Sequence, residues 1–228
     1  MSTAHSARAR ARIEVTAAIK EEARRQLAAE GAAKLSLRAV ARELGMVSSA
    51  LYRYFPSRDD LLTALIIDAY DSVGEAAEAA HAAAADAGPV PRWTAVCEAV
   101  RGWALAHPHE YALIYGSPVP GYTAPDTTVR AASRVGLVLI DIVRDARQGP
   151  GLALPPLPAG LEPEAERMAA DFASDLPPTL APALVAAWAQ LFGLIGFEVF
   201  GQFNRVVEDW AAFFRHAAGR LAHGVGLG

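Results

Sequence analysis

The fold of the first part of the chain is decided by residues 36–55, SLRAVARELGMVSSALYRYF. Ala41 is small enough for two helices to cross closely, and Gly45, four positions later, tolerates the positive φ of a tight turn. Leu51 then supplies an apolar anchor on the second helix, facing the first. This spacing is typical of a DNA-binding helix-turn-helix, although a plain helical hairpin has similar features.

The second helix of such a motif enters a major groove, so its outward side chains are candidate base contacts. In this chain they are small or polar: Ser48, Ser49, Ala50, Arg53 and Tyr54. Arg38, at the start of the first short helix, and Arg58, at the start of the following helix, flank this surface. Both are candidate phosphate contacts.

Charge is unevenly distributed along the 228 residues. The net charge is −4, yet residues 1–60 contain eleven Lys and Arg against seven Asp and Glu, and the remainder is acidic. A basic head on an acidic body indicates that the two parts have different partners.

Helical periodicity extends outward from the motif, and the chain contains about fifty alanines, the residue with the highest helix propensity. A first helix is expected to end near Gly31, and a long one to run from Arg58 to about Ala85. Further helices are predicted over residues 92–106, 108–115, 125–148, 164–173, 179–203 and 206–223. No stretch shows two-residue alternation, so we predict an all-α fold of about nine helices.

Residues 149–163 are rich in proline and glycine and are predicted to have little regular structure. They either cover the mouth of a pocket or form a disordered connection.

Residues 182–200 are apolar apart from Gln190 and Glu198, which approaches the length of a membrane-spanning helix. Their proline start and their small residues instead favour a helix buried on all sides of a soluble protein. No apolar segment of a signal peptide follows the first arginines. Cys97 is alone, so no disulfide is expected. We therefore expect a cytoplasmic protein.

Residues from about 12 to 70 resemble the DNA-binding head of the TetR family of bacterial transcription regulators. The resemblance is carried by residues 44–62, LGMVSSALYRYFPSRDDLL. The matching features follow the order of the family's pattern. They are the turn glycine Gly45, the Leu-Tyr pair at 51–52, the aromatic pair at 54–55 before Pro56, and then Ser57, the basic Arg58 and the acids at 59–60. The match makes a plain hairpin much less plausible.

The resemblance implies roles by position. Leu37 and Arg38 correspond to residues that contact the DNA backbone, and residues 48–50 correspond to the base-facing start of the recognition helix. Tyr52 and Tyr54 correspond to ring residues that contact phosphate and pack the head. Arg58 corresponds to a basic residue that binds phosphate. Ser48, Ser49 and Ala50 are shorter than the residues of many relatives and make few bidentate base contacts. Arg53, or residues 8–12 acting as a flexible arm, would then carry more of the recognition. The alternative for this arm is a solvated, disordered tail.

The family pairs this head, here residues 1–57 with a basic arm at 1–12, with a helical body, here residues 58–228, that binds a small molecule and dimerises. Small residues on one face of the first closing helix allow close approach of a second subunit: Ala186, Ala189, Gly193 and Gly196. The last helix adds an apolar stripe with Trp210, Phe213 and Phe214. The alternative is burial inside a monomer.

The second half resembles a C-terminal subclass of the family, through Trp93, Trp103, the stretch HPHEYALIYG at 107–116 and the run around Trp188. Aromatic and polar residues of the middle helices are the candidates for an apolar or aromatic ligand: Trp103, His107, Tyr111, Tyr115, Trp188 and Phe192. For any one of them, an ordinary place in the core is the alternative.

The sequence gives little support for an enzymatic function. His107, His109 and Glu110 lie close together, but no further ligands complete a metal site. No nucleophile elbow, phosphate-binding loop or dinucleotide glycine pattern is present, and we expect no cofactor. The sequence predicts a homodimeric, ligand-responsive repressor that binds a palindromic or nearly palindromic operator. The alternatives are an activator, a regulator without ligand, or an all-α binding protein or enzyme.

Overall fold

The computed structural model describes residues 2–228, with side chains from residue 7 onward. Within this part of the chain there are eleven α-helices, two 3₁₀ turns and no strand. The all-α prediction is confirmed, with eleven helices in place of about nine. The helices are α1 Ser2–Glu30, α2 Leu37–Glu43, α3 Ser48–Leu51, α4 Arg58–Ala83, α5 Pro89–Ala106, α6 Pro108–Tyr115, α7 Val129–Ala132, α8 Arg134–Ala146, α9 Glu162–Phe172, α10 Leu180–Val199 and α11 Trp210–Gly224.

Helix α1 is longer than predicted and includes the expected N-terminal arm. Arg8, Arg10 and Arg12 lie within the helix, which contradicts both a flexible arm and a disordered tail as their conformation, whereas their contact with DNA stays a prediction. The physical reason is that alanine and arginine are strong helix formers and that neither glycine nor proline precedes Gly31. Gly31 ends the helix with a φ of +80°.

The chain divides into two compact units. The first, the head unit, comprises Met1–Tyr70 and His109–Val129, and the second, the body unit, comprises Asp71–Pro108 and Arg130–Gly228. The division therefore falls within α4, after Tyr70. The sequence places the domain boundary after residue 57, and that boundary stays a prediction.

The helix-turn-helix forms as the sequence predicts. The Ser36 hydroxyl caps α2 by accepting the Ala39 N–H at 3.4 Å. Ala41 and Leu51 are both buried in the core of the head unit, together with Ile19 and Leu62. Gly45 makes the turn with a φ of +64°. Helix α3 is only four residues long and continues as turns to Tyr54, so tertiary packing rather than its own hydrogen bonds holds it in place.

The body unit is built around α5. This helix packs against α11, α8 and α10 and buries Trp93, Cys97 and Val100 completely. The single helix predicted over 125–148 is a 3₁₀ turn, Asp126–Thr128, followed by α7 and α8. The closing helices are shorter than predicted, because turns with positive φ at Gly201 and Arg205 separate them. Residues 149–161 are irregular apart from one antiparallel bridge between Leu152 and Leu227.

Helix α10 is the one described helix that is long and apolar enough to cross a membrane, with 20 residues and a mean hydropathy of 1.8. Only 39% of it is buried within the protein. Within a single chain the helix is not buried on all sides, because one face, with Ala186, Ala189 and Phe197, is exposed. The described part of the chain leaves this face uncovered.

The turn at Gly45 gives a stability test. An added Cβ there meets nothing within 4 Å, so the penalty of Gly45→Ala is conformational only and lowers the free energy of unfolding by about 1–2 kcal/mol. Gly45→Asn costs less, because asparagine adopts positive φ more readily. Urea unfolding followed by circular dichroism measures both.

Gly102→Ala is the matched control, since Gly102 is an exposed helical glycine with equal room. It should stabilise the chain by up to about 1 kcal/mol. Equal losses for Gly45→Ala and Gly45→Asn would contradict the conformational explanation.

Candidate functional site

The exposed side of α2 and α3 forms a surface, here called the reading surface, defined by Arg38, Val47, Ser49, Tyr52 and Arg53. All five are exposed; Tyr52 retains 41% of its accessible area. Leu51 is fully buried on the opposite side of α3. The reading surface is therefore a basic and partly aromatic face of the head unit, suited to contacts with a polyanion.

The remaining predicted contacts are less accessible. Ser48, Ala50 and Tyr54 are half-buried. Leu37 retains only 6% of its area and belongs to the core, so its side chain is not part of the reading surface. Its place at the first position of α2 turns its apolar side chain inward and leaves only its backbone for contact.

Val47 is a residue that the sequence analysis missed. It is 70% exposed and lies immediately before α3. An apolar side chain at this point can contact the methyl group of thymine. Its signal in the sequence was an apolar residue directly before the recognition helix.

Arg12 on α1 packs against this region. Its guanidinium lies over the ring of Tyr54, 5.5 Å from the centroid, and cation–π attraction of this kind stabilises the pair. Arg12 is thus held against the head, and Tyr54 has a structural contact besides any contact with DNA.

Arg58, which is predicted to contact phosphate, also makes hydrogen bonds within the head unit. Its Nη2 donates to the carbonyls of Ala32 at 2.9 Å and Ala33 at 3.3 Å. Nη1 pairs with Asp59 at 3.4 Å. The guanidinium therefore ties the start of α4 to the turn after α1, and contact with phosphate stays a prediction.

Two of the predicted ligand residues, Trp103 and His107, stack in the body unit with ring centroids 5.4 Å apart. Trp103 is buried, and its Nε1 donates to the Ser72 hydroxyl at 2.8 Å. The Trp103 side chain is therefore satisfied within the protein, as an ordinary core residue is.

A second pair, Tyr111 and Tyr115, lies in the head unit, with rings 5.2 Å apart. Tyr70 meets the Tyr115 ring edge-on at 5.9 Å. Burial raises the pKa of Tyr111 and of Tyr115 above the usual phenol range. Both phenols are neutral at physiological pH.

The third pair, Trp188 and Phe192, lies on α10, with centroids 5.6 Å apart. Phe192 is buried, whereas Trp188 is 41% exposed. The six predicted ligand residues thus make ring contacts in three pairs that belong to two different units.

A cavity of about 190 Å³ opens between α7, α8, α9 and α10 in the body unit. We call it the α8–α10 cavity. It is lined by Ala132, Ser133, Gly136, Leu137, Leu139, Ile140, Phe172, Leu184, Val185 and Trp188. Trp188 alone among the predicted ligand residues lines it. Sequence reasoning missed the others because they come from four helices whose arrangement periodicity does not reveal.

The predicted dimer residues divide between the surface and the core. Ala186, Ala189, Gly193 and Phe213 are exposed, and Trp210 is half-buried in an aromatic cluster with Phe203 and Phe213. Gly196 is buried. Phe214 is also buried and packs under Arg101, 5.4 Å from the guanidinium. Gly196 and Phe214 therefore belong to the unit's own core, which corrects their assignment to an interface.

Cys97 and the possible metal-ligating residues were the candidates for reactive chemistry. Burial is the main cause that raises the pKa of the Cys97 thiol above its usual range, which disfavours the reactive thiolate. The described part of the chain contains no group of three or more His, Cys, Asp or Glu residues placed to hold a metal ion.

Comparisons with known proteins cover both units. Residues 19–65 match the family described as "Bacterial regulatory proteins, tetR family", and residues 93–221 match "Tetracyclin repressor-like, C-terminal domain". The HTH-type transcriptional regulator Rv1816 of Mycobacterium tuberculosis is 40% identical over 205 residues, which are 85% of this chain and 84% of that protein. Regulator Mb1846 of Mycobacterium bovis gives the same values.

Solved structures agree with these matches. The crystal structure of SCO4313, described as a regulatory protein, is 34% identical with a TM-score of 0.79, covering 94% of this chain and 98% of the other. A protein of unknown function from Rhodococcus sp. RHA1 has a TM-score of 0.69 at 22% identity, with 92% and 94% covered, and shares the fold. Both family models and both mycobacterial relatives are of transcription regulators.

The contacts of Arg58 predict that it stabilises the head. Arg58→Ala removes hydrogen bonds from a charged donor to two carbonyls and lowers the free energy of unfolding by about 1–2 kcal/mol. Arg38→Ala, on the exposed reading surface, changes it by less than about 0.5 kcal/mol. Urea unfolding measures both variants. Equal effects would mean that the Arg58 hydrogen bonds contribute no stability.

Proposed function

This chain belongs to the TetR family of bacterial transcription regulators, and from that premise we propose that it is a ligand-responsive repressor that binds a two-fold operator as a homodimer. It is a regulator with a DNA-binding helix-turn-helix. The observation that carries the proposal is the reading surface, which presents Arg38, Tyr52 and Arg53 above a buried core. As a repressor of transcription it acts in the cytoplasm.

The residues of the reading surface suit two kinds of DNA contact, to phosphates and to base edges. Arg38 lies at the start of α2 and suits a phosphate, which positions the protein without reading sequence. Arg53 and Val47 lie at opposite ends of α3 and suit base edges, since arginine binds guanine in a bidentate manner and an apolar group meets thymine. The short Ser49 lets α3 approach the floor of the groove closely.

The exposed face of α10 supports the homodimer. Ala186, Ala189 and Gly193 are exposed on it and are small enough for close approach of a second helix. Phe197 is 53% exposed at the end of the same face, and Phe213 of α11 is 37% exposed. A two-fold dimer through these helices would bring two reading surfaces to one duplex, spaced about 34–36 Å apart for successive major grooves.

A response to ligand requires that the ligand prefer one arrangement of the dimer over another. Helix α4 is continuous from Arg58 to Ala83, and it belongs to the head unit in its first part and to the body unit in its second. It is therefore the element through which a change in the body unit would reach the reading surface.

Binding to the DNA upstream of its own gene, measured over a salt series, tests the function. The wild type should protect two half-sites one helical turn apart, with an affinity that falls as salt rises. Arg38→Ala should weaken binding to all sequences and reduce the salt slope by about one. Arg53→Ala should cost about 1–3 kcal/mol and relax specificity at one base pair.

Arg167→Ala is the control for the loss of one exposed arginine, because Arg167 lies on α9 in the body unit. It should leave the affinity for DNA unchanged. Binding that is insensitive to sequence, or equal losses for all three variants, would contradict the assignment of the reading surface. A reporter that rises when the gene is deleted supports repression, and one that falls contradicts it.

The dimer has its own test. Gly193 is exposed with no neighbouring atom near its Cβ position, so Gly193→Glu leaves the monomer fold intact but places a charge in the proposed interface. Sedimentation should show a dimer for the wild type and a monomer for Gly193→Glu, with DNA affinity lost in parallel. Gly102→Glu, an exposed helical glycine on α5, should remain dimeric. A monomeric wild type at micromolar concentration would overturn the proposal.

A further inference from the structure

The α8–α10 cavity has a chemically uniform wall. Nine of its ten lining residues have apolar side chains or none, and Ser133 is the tenth. The Ser133 hydroxyl already donates to the carbonyl of Arg130 at 3.0 Å. No charged side chain lines the cavity. A charged ligand would lose its hydration there without gaining a partner, whereas an apolar one would lose nothing.

Large apolar side chains at the cavity remain open to solvent. Trp188 is 41% exposed and Leu137 is 46% exposed, on facing helices. Water against such surfaces is unfavourable, and a ligand that covered them would gain about 25 cal/mol for each Å² buried. The exposed rings and methyl groups thus supply a driving force for binding that the isolated chain does not use.

A second copy of the chain is a poor occupant of this cavity. Successive residues of a helix are rotated by about 100°. Ala186, Gly193 and Phe197 consequently lie on one side of α10, and Leu184 and Trp188 lie on the opposite side, while Val185 and Ala189 lie between them. A dimer centred on Ala186, Gly193 and Phe197 leaves the side of Leu184 and Trp188 uncovered. The occupant is therefore a small molecule rather than the partner subunit.

The volume sets the size of that molecule. A cavity of about 150 Å³ lined by Leu, Ile and Phe in an unrelated protein stays dry and holds benzene. The α8–α10 cavity, at about 190 Å³, has room for one ring with a short alkyl group. We propose that the α8–α10 cavity is a binding site for an uncharged, single-ring aromatic compound or an alkyl compound of similar size.

The wall of the cavity is tied directly to α4. Arg134 lies between the lining residues Ser133 and Gly136. Its Nη1 donates to the Asp71 carbonyl at 2.9 Å and to the Asp71 carboxylate at 2.8 Å. Its Nε and Nη2 both donate to the Glu78 carboxylate at 2.8 Å. A displacement at the start of α8 would therefore act on two successive turns of α4.

Gly74 makes this contact possible. A Cβ at Gly74 would lie 2.7 Å from the Arg134 Nε and 2.8 Å from its Cβ, closer than such atoms approach. Only glycine at this position lets the arginine lie flat across α4 between Asp71 and Glu78. Arg134 is thus a positioning residue that connects the cavity wall to the helix leading to the head unit. The regulatory part of this inference rests on the proposed function, whereas the binding part does not.

Binding is tested without DNA, with toluene as the probe and benzoate as its charged counterpart. Toluene should change the tryptophan fluorescence of the full-length protein in a saturable manner, and Trp188→Phe should remove that change. Gly136→Phe should abolish binding, because its Cβ position is open and its ring fills the cavity. Gly136→Ala is the matched control and should still bind toluene.

Val185→Trp fills the cavity from the α10 wall and is the second test should Gly136→Phe not fold, as judged by circular dichroism. Calorimetry of toluene binding provides an independent readout for each variant. Absence of saturable toluene binding to the wild type, unchanged binding to a folded filled variant, or benzoate binding as tight as that of toluene would each overturn the proposal.

Coupling to DNA is measured separately, on the DNA upstream of the protein's own gene. Toluene should weaken operator binding by the wild type, and Arg134→Gln should bind toluene normally while its operator affinity no longer responds. An Arg134→Gln variant that responds fully contradicts the role of Arg134. Toluene binding without operator binding by the wild type contradicts the proposed function and leaves the site itself supported.

Discussion

The burial of Leu51 is the interaction on which the reading surface depends. Helix α3 is four residues long, too short to hold itself together in water. It keeps its shape because Leu51 is inserted into the same buried cluster as Ala41 of α2 and Ile19 of α1. With Leu51 held, Ser49 and Arg53 can only face outward. The position of every side chain that would meet DNA is thus a property of the core beneath it.

The same cluster extends into α4, since Leu61, Leu62 and Leu65 belong to it. Further along the same helix, Asp71 and Glu78 accept the guanidinium of Arg134. A helix of 26 residues is about 39 Å long, and an unbroken one transmits displacement better than a loop would. Its two ends are therefore anchored in different units by different chemistry, apolar burial at one end and charged hydrogen bonds at the other.

The helix-turn-helix was predictable because its determinants are local. The cap Ser36, the turn residue Gly45 and the anchor Leu51 lie within sixteen residues, so their spacing indicated two helices joined by a tight turn, and the match of residues 44–62 distinguished it from a plain hairpin. The α8–α10 cavity was not predictable, since Phe172, Leu137 and Val185 meet only after three separate helices have packed. The assignment of Phe214 and Gly196 to an interface failed for a related reason. Both carry the pattern of an apolar face, but periodicity cannot say whether a face meets its own chain or another.

Helix α10 brings the two proposed tasks of the body unit together. One of its sides carries the small residues around Gly193 that suit a second subunit, and the opposite side carries Trp188 at the cavity. A ligand in the cavity would touch both the helix that sets the subunit arrangement and, through Arg134, the helix that leads to the reading surface. Coupling between two such sites is reciprocal by thermodynamic necessity. Operator DNA that favours one arrangement would therefore weaken ligand binding by the same factor by which the ligand weakens binding to DNA.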